Sequence, residues 1–352
     1  MIVNKTIGDV PVIWRDVREA PFMLHGLLLP NESEPYYHRI PESVTMPLGA
    51  ELCRKGKLSA GGRVRFTTDS PYIAIRVKFV ELGQTNVMPL IGSAGFDLFI
   101  DGEFGSRYVK EFRLPMDSSD GYEQIIELDG AISRSYTVNF PIGSVVERVE
   151  IGLKPEASVS APRPYRDIAP ITVYGSSIVH GYSSTHPGYA YPAIISRELN
   201  VDVRNFGFAG VAKGEIPMAE WLADLETSVF VCDYDHNVPN PEYLKATHYP
   251  FYLEYRKKNP TTPYIMITRP NYYTCQQDRK QILRRRDVVM ESYLKARAEG
   301  DENVYFIDGL SFCYAPHQYD FSVDGVHPND PGFIRMADAI GTVIRHALEL
   351  SE

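Results

Sequence analysis

The sequence predicts two domains of different class: an all-β sandwich or jelly roll over residues 1–160, and a three-layer α/β domain on a parallel sheet over residues 168–352. Three observations predict this. At 352 residues the chain exceeds the usual single domain, so each half can bury its own core. Residues from about 35 to 155 read as short strands with turns at close intervals and no helical period. Beyond Pro155 to Pro170, a stretch rich in Pro, Ser, Ala and Arg that reads as a linker, strand-like and helix-like stretches alternate.

In the first half the strands are Gly62 to Thr68, Tyr72 to Val80, Gly95 to Ile100 ending in the turn Asp101-Gly102, Gln124 to Leu128 and Val145 to Leu153. Alternation in Arg63-Val64-Arg65-Phe66 and Ile73-Ala74-Ile75-Arg76-Val77 fits half-buried antiparallel strands. In the second half, strand-like Ile171 to Tyr174, Val201 to Phe206, Ser228 to Cys232, Tyr264 to Thr268 and Val304 to Ile307 alternate with helix-like stretches. The helices run over Tyr191 to Leu199, Ile216 to Leu225, Glu242 to Lys258, Arg285 to Glu299 and Pro331 to Leu350. Successive βα units predict a parallel sheet with helices on both faces. There is no internal repeat and no low-complexity segment.

Composition narrows the partners. A formal net charge of -9 argues against a phosphate backbone as ligand, because nucleic-acid binders carry basic surfaces. The local run Arg284-Arg285-Arg286 reads as a solvated helix face. Cys53, Cys232, Cys275 and Cys313 are scattered without a CxxC pair, so neither a zinc ribbon nor a disulfide framework is indicated. The N-terminal stretch lacks the basic and apolar regions of a signal peptide, and no apolar run is long enough to span a bilayer. A cytoplasmic protein with no nucleic-acid or membrane partner is expected, homo-oligomerisation being left open.

The run Ile171-Thr172-Val173-Tyr174-Gly175-Ser176-Ser177-Ile178 is a buried strand stopped by Gly and Ser where a helix can begin. A serine there is a candidate nucleophile, since chemistry in an open α/β sheet gathers at the carboxyl ends of the strands. Near the C-terminus, Asp324-Gly325-Val326-His327 precedes the last helix, and an Asp three residues before a His can hold the imidazole in one tautomer. Ser177, His327 and Asp324 then form a candidate catalytic unit, in which a base takes the serine proton. Gly210 ends the second strand's loop and Asn237 the third's. The Ser177 and Gly210 amides with the Asn237 side chain are the candidate oxyanion donors.

Other readings compete. Asp233-Tyr234-Asp235 after an apolar run suggests a Mg²⁺-dependent phosphatase with Asp233 as nucleophile, but that motif belongs on the first strand of its fold and here follows the third. His180 and His236 lie at strand ends as bases, zinc ligands, substrate contacts or packed polar residues, and no regular ligand spacing indicates a metal. Arg269, after the fourth strand, could meet an anionic substrate group or form a structural salt bridge. The 23 tyrosines fit sugar stacking or sheet packing. A catalytically silent carbohydrate-binding protein is a further alternative.

Gly175-Ser176-Ser177-Ile178, Gly210, Asn237 and Asp324-Gly325-Val326-His327, in this order, resemble the four blocks of the SGNH hydrolases, also called the GDSL esterase/lipase family. Ser176 stands where that family usually has Asp, and Asp235-His236-Asn237-Val238 where it usually has Gly-x-Asn-Asp. The resemblance, over about residues 168 to 350, implies a flavodoxin-like sheet and a serine esterase without cofactor or metal. Upstream, Gly95-Phe96-Asp97-Leu98-Phe99 resembles the Gly-x-Asp-Leu-Tyr motif of a two-domain subgroup, and Arg39-Ile40-Pro41 and Phe66-Thr67-Thr68-Asp69-Ser70 are similar to its other signatures. That match implies deacetylation of carbohydrates or similar O-acyl substrates; with no long apolar lid sequence in the chain, short acyl groups, acetyl above all, are expected on a small-molecule or oligosaccharide ester.

Overall fold

A computed structural model describes residues 5–27, 37–103, 105–273, 275–314 and 316–350. The chain ends 1–4 and 351–352, assigned above to the two domains, lie outside the described residues. The rest forms two compact units: one from the residues up to Pro41 with Gly56–Arg166 and Thr185–Gly188, the other from Glu42–Lys55, Asp167–Ser184 and the chain from Tyr189 onward.

The first unit contains strands β1 (Lys5–Ile7), β2 (Val10–Asp16), β3 (Met23–His25), β4 (Arg63–Thr68), β5 (Tyr72–Glu81), β6 (Phe96–Gly102), β7 (Gly105–Phe112), β8 (Gly121–Glu127), β9 (Arg134–Asn139), β10 (Val145–Leu153) and β11 (Val159–Ser160). One sheet runs β1-β2-β10-β5-β8 and the other β11-β4-β9-β6-β7, with β3 on β4; the pairings are antiparallel. The period-two pattern explains the packing. On β5, Ile75, Val77 and Phe79 enter a core shared with Val64 and Phe66 of β4, while Arg76 and Lys78 face outward.

Two expectations change here. Helices α1 (Glu42–Thr45), α2 (Ala50–Lys57) and α3 (Leu90–Ala94) interrupt the region read as strands. They are too short to display a 3.6-residue period. The expected linker is tied down as well, because β11 pairs with β4 and the Tyr165 hydroxyl accepts from Arg63 Nε at 2.7 Å.

Asp97 of β6 is 0% exposed. One carboxylate oxygen accepts from Asn139 Nδ2 at 2.7 Å, and the other takes the Gly188 amide and pairs with His186 Nδ1. A Cβ on Gly188 would lie 2.5 Å from the Phe99 ring, so the segment comes this close to the Gly-x-Asp-Leu-Phe motif only without a side chain.

The second unit contains β12 (Ile171–Gly175), β13 (Val203–Gly207), β14 (Phe230–Asp233), β15 (Tyr264–Ile267) and β16 (Val304–Ile307). Its helices are α4 (Ser177–His180), α5 (Tyr191–Leu199), α6 (Ile216–Leu222), α7 (Pro241–Arg256), α8 (Gln276–Ala298) and α9 (Asp330–Ala347). The sheet is parallel in the order β13-β12-β14-β15-β16, the flavodoxin-like order, so the chain reverses its direction of growth beside β12. Alternate strand residues Ile171, Val173, Val231 and Ile265 pack against α5 and α9. On the opposite face, Tyr174 stacks on Phe251 of α7, and Phe230 packs between Tyr255 and Tyr264. These buried tyrosines fill the sheet–helix layer. Among the described residues no helix is long and apolar enough to cross a membrane.

Candidate active site

Strand β12 ends at Gly175, where a Cβ would sit 2.0 Å from the Asp233 carbonyl oxygen. Only glycine lets the chain turn there. The Ser176 amide donates to that same carbonyl at 2.9 Å, and the Ser176 hydroxyl accepts from the Ile178 amide at 3.2 Å, capping α4. Ser176 is therefore spent on structure. Ser177 follows as the first residue of α4, and its Oγ lies 2.9 Å from His327 Nε2.

The imidazole is held by its own turn. Gly325 takes a left-handed φ of 82°, which lets Asp324 Oδ1 accept from the Val326 and His327 amides at 2.9 and 2.8 Å. Asp324 Oδ2 meets His327 Nδ1 at 2.8 Å. Burial raises the Asp324 pKa, but the two amides and the imidazole outweigh it and hold the carboxyl below its ordinary value. A hydroxyl facing an imidazole whose far nitrogen meets a carboxylate is arranged for nucleophilic attack by oxygen.

Gly210 and Asn237 are brought together, though not as independent donors. The Gly210 amide donates to Asn237 Oδ1 at 3.2 Å, and Asn237 Nδ2 donates to the Phe208 carbonyl at 3.0 Å. Those two bonds fix which end of the amide is nitrogen and leave one Nδ2 hydrogen uncommitted. The turn that carries Asn237 is clamped by Arg285, which reaches the Asp235 carbonyl at 2.6 Å and the Val238 carbonyl at 3.0 Å. The arginine run thus corrects its expected role: Arg284 is exposed and Arg286 pairs with Asp308, while Arg285 points inward.

His180 is 0% exposed, and its Nδ1 lies 3.5 Å from the Ala209 amide. That is a packed position. His236 keeps a half-buried ring; burial first, then Arg269, His327 and Arg285, hold its pKa well below the ordinary value, so it is neutral. Arg269 is deeply buried and gives its main-chain amide to Asp235 Oδ2 at 3.1 Å. Asp233 is fully buried, and Tyr191 donates to its Oδ2 at 3.2 Å. Burial, with Asp235 nearby, pushes its pKa to about 8. Full burial and the Tyr191 bond place this carboxyl in the packed interior of the sheet end. Among the described residues no group of His, Cys, Asp and Glu could hold a metal ion.

Residues 169–345 match the model of the GDSL-like lipase/acylhydrolase family. The chain belongs to that family. It is accordingly a hydrolase of carboxylic esters. Residues 12–159 of this acylhydrolase match a second model, the GxDLY N-terminus of SGNH-hydrolase-type esterases. No curated protein matches the sequence. Among solved structures, one from Bacteroides ovatus assigned as a GDSL-like lipase is 28% identical, with a TM-score of 0.86 over 97% of this chain and 99% of that one. The salicylyl-acyltransferase SsfX3 of a tetracycline biosynthetic pathway is 18% identical, at TM-score 0.77 over 96% and 98%. An acetyl xylan esterase from the rumen bacterium Butyrivibrio proteoclasticus is 14% identical, at TM-score 0.54 over 84% and 92%. The last two share the fold.

Two groups of the acylhydrolase's site escape the sequence. Arg285 is hidden because its neighbours Arg284 and Arg286 make a solvated face. Tyr182, whose ring centroid is 6.2 Å from that of His327 and whose hydroxyl accepts from Lys55 Nζ at 2.8 Å, carries no motif, and Lys55 is 127 residues away.

Proposed function

We propose that this acylhydrolase is a serine esterase that cleaves short-chain O-acyl esters, acetyl above all, with a carbohydrate as the alcohol. The observation that carries the reading is the hydrogen-bonded line Ser177 Oγ, His327 Nε2, His327 Nδ1, Asp324 Oδ2. Ser177 attacks the ester carbonyl while His327 takes its proton. Asp324, held ionised by its amide bonds, keeps the ring in the Nδ1–H tautomer and balances the charge it gains. His327 then protonates the leaving alcohol, and water, activated by the same imidazole, releases the acyl group from Ser177.

In the oxyanion site the Ser177 amide, first in α4 and without an intrahelical acceptor, joins the uncommitted Asn237 Nδ2 hydrogen. The Gly210 amide becomes a third donor by exchanging its 3.2 Å bond to Asn237 for the oxyanion. The carbohydrate assignment is supported by the GxDLY-type N-terminal unit and by the fold shared with an acetyl xylan esterase.

The test is hydrolysis of a chromogenic acetyl ester by the wild type, Ser177→Ala and Asp233→Ala, with and without chelator, followed by a panel of acetylated sugars. Loss in Ser177→Ala alone, insensitive to chelator, is expected. Phosphoester cleavage that needs Mg²⁺ and Asp233 overturns the proposal, and glycan binding without turnover turns it into a binding protein.

A further inference from the structure

We propose that Arg269 recognises a carboxylate carried by the ester substrate, so that the preferred substrates of this esterase are acidic. The inference deepens the esterase reading and rests on it. Arg269 lies two residues beyond β15, at the carboxyl edge of the sheet, where β12 and β14 deliver Ser177 and Asn237. The residue is only 9% exposed, yet among the described residues nothing accepts from its Nε.

Comparable arginines of the same unit are not left this way. Arg285 spends both terminal nitrogens on the carbonyls of Asp235 and Val238. Arg256 meets Asp301 at 2.7 Å and the carbonyls of Asn259, Thr262 and Asn303. Asp235, buried beside Arg269, takes its main-chain amide rather than its guanidinium, and offsets the charge only at longer range, as does the half-buried Asp278.

A desolvated guanidinium without a bonded partner is costly to hold, and a planar oxyanion with two acceptors is the ligand its fork fits best. The direction is set by His236. Its ring, one residue from Asn237, lies within electrostatic reach of both Arg269 and His327, and its own Nε2 has no partner among the described residues. A carboxylate there would accept from the guanidinium while the ester sits at Ser177.

The carboxylate could sit on the acyl or on the alcohol side, and matched pairs separate the two. For the acyl side, 4-nitrophenyl hydrogen succinate is compared with 4-nitrophenyl methyl succinate; for the alcohol side, 4-acetoxybenzoate with 4-acetoxybenzamide. In one pair the wild type should prefer the acid by about ten- to a hundredfold in kcat/KM, the range of a hydrogen bond to a charged group. Arg269→Gln should bring that ratio to about one, and Arg269→Lys should keep part of it.

A wild-type ratio near one in both pairs overturns the proposal, as does a ratio that survives in folded Arg269→Gln. If melting curves show that Arg269→Gln does not fold, inhibition of the wild type by benzoate against benzamide decides, equal inhibition being the overturning result. If no ester is turned over, the esterase reading fails by itself. Calorimetry of benzoate on Ser177→Ala, with and without Arg269→Gln, then carries the test, and absent or Arg269-independent binding sinks it.

Discussion

Two adjacent serines follow β12, and their surroundings divide the work between them. Ser176 is completely buried, its amide tied to Asp233 and its hydroxyl to the first turn of α4, whereas Ser177 Oγ faces His327. Replacing Ser177 with Ala should therefore lower kcat by at least about a thousandfold with little change in the melting curve. Ser176→Ala should cost about 1 kcal/mol in urea unfolding through loss of the cap, with turnover retained. The reverse pattern would move the nucleophile by one residue. Asn237→Ala removes the proposed oxyanion donor and the partner of the Gly210 amide together, so on that proposal kcat should fall by about a hundred- to a thousandfold with KM nearly unchanged. An unchanged kcat would remove Asn237 from the site.

Elements were legible in the sequence where one face repeated, and obscure where polarity masked it. Residues Tyr191–Leu199 and Val304–Ile307 form the helix and the strand expected there, because apolar period and breakers agree. Helix α8 begins at Gln276 rather than Arg285, since the polar stretch Gln276-Gln277-Asp278-Arg279-Lys280 hides its first turns from any apolar pattern. The same helix supplies Arg285, a tertiary partner that sequence spacing cannot announce. Arg285→Met should leave the carbonyls of Asp235 and Val238 unpaired and loosen the turn bearing Asn237, lowering kcat more than it raises KM. Arg285→Lys should restore part of that loss, and an equal effect of both variants on KM alone would refute a positioning role. In the first unit, Asp97 was legible as a motif but not by its partners, which lie 42 to 91 residues away. Asp97→Ala removes an acceptor from Asn139, His186 and the Gly188 amide, and should cost about 3 kcal/mol or more in urea unfolding. A cost near zero would mean that these bonds contribute nothing to the unit.

At the scale of the molecule, two buried groups give the acylhydrolase an uneven response to pH. Burial lowers the His248 pKa to about 4 from 6.5, so the unfolded chain gains this proton first and the stability His248 contributes is lost as pH falls from 6.5 to 4. Burial, with Asp235 nearby, raises Asp233 from 3.8 to about 8, so the folded chain keeps a proton that the unfolded chain releases. That stability is full below about pH 4 and is lost as pH rises toward 8. Between pH 4 and 6.5 the Asp233 slope opposes that of His248 and of His236, which burial also holds low; above 6.5 the histidine slopes are gone and the Asp233 slope continues, at up to about 1.4 kcal/mol per pH unit. Asp233→Asn puts a permanently neutral side chain in place of the protonated acid and keeps an acceptor for the Tyr191 hydroxyl. Melting of the wild type should therefore shift downward between pH 6.5 and 8 and level off by pH 9, and the variant should lack that part of the shift. An identical decline in both proteins would show that Asp233 does not carry this pH dependence.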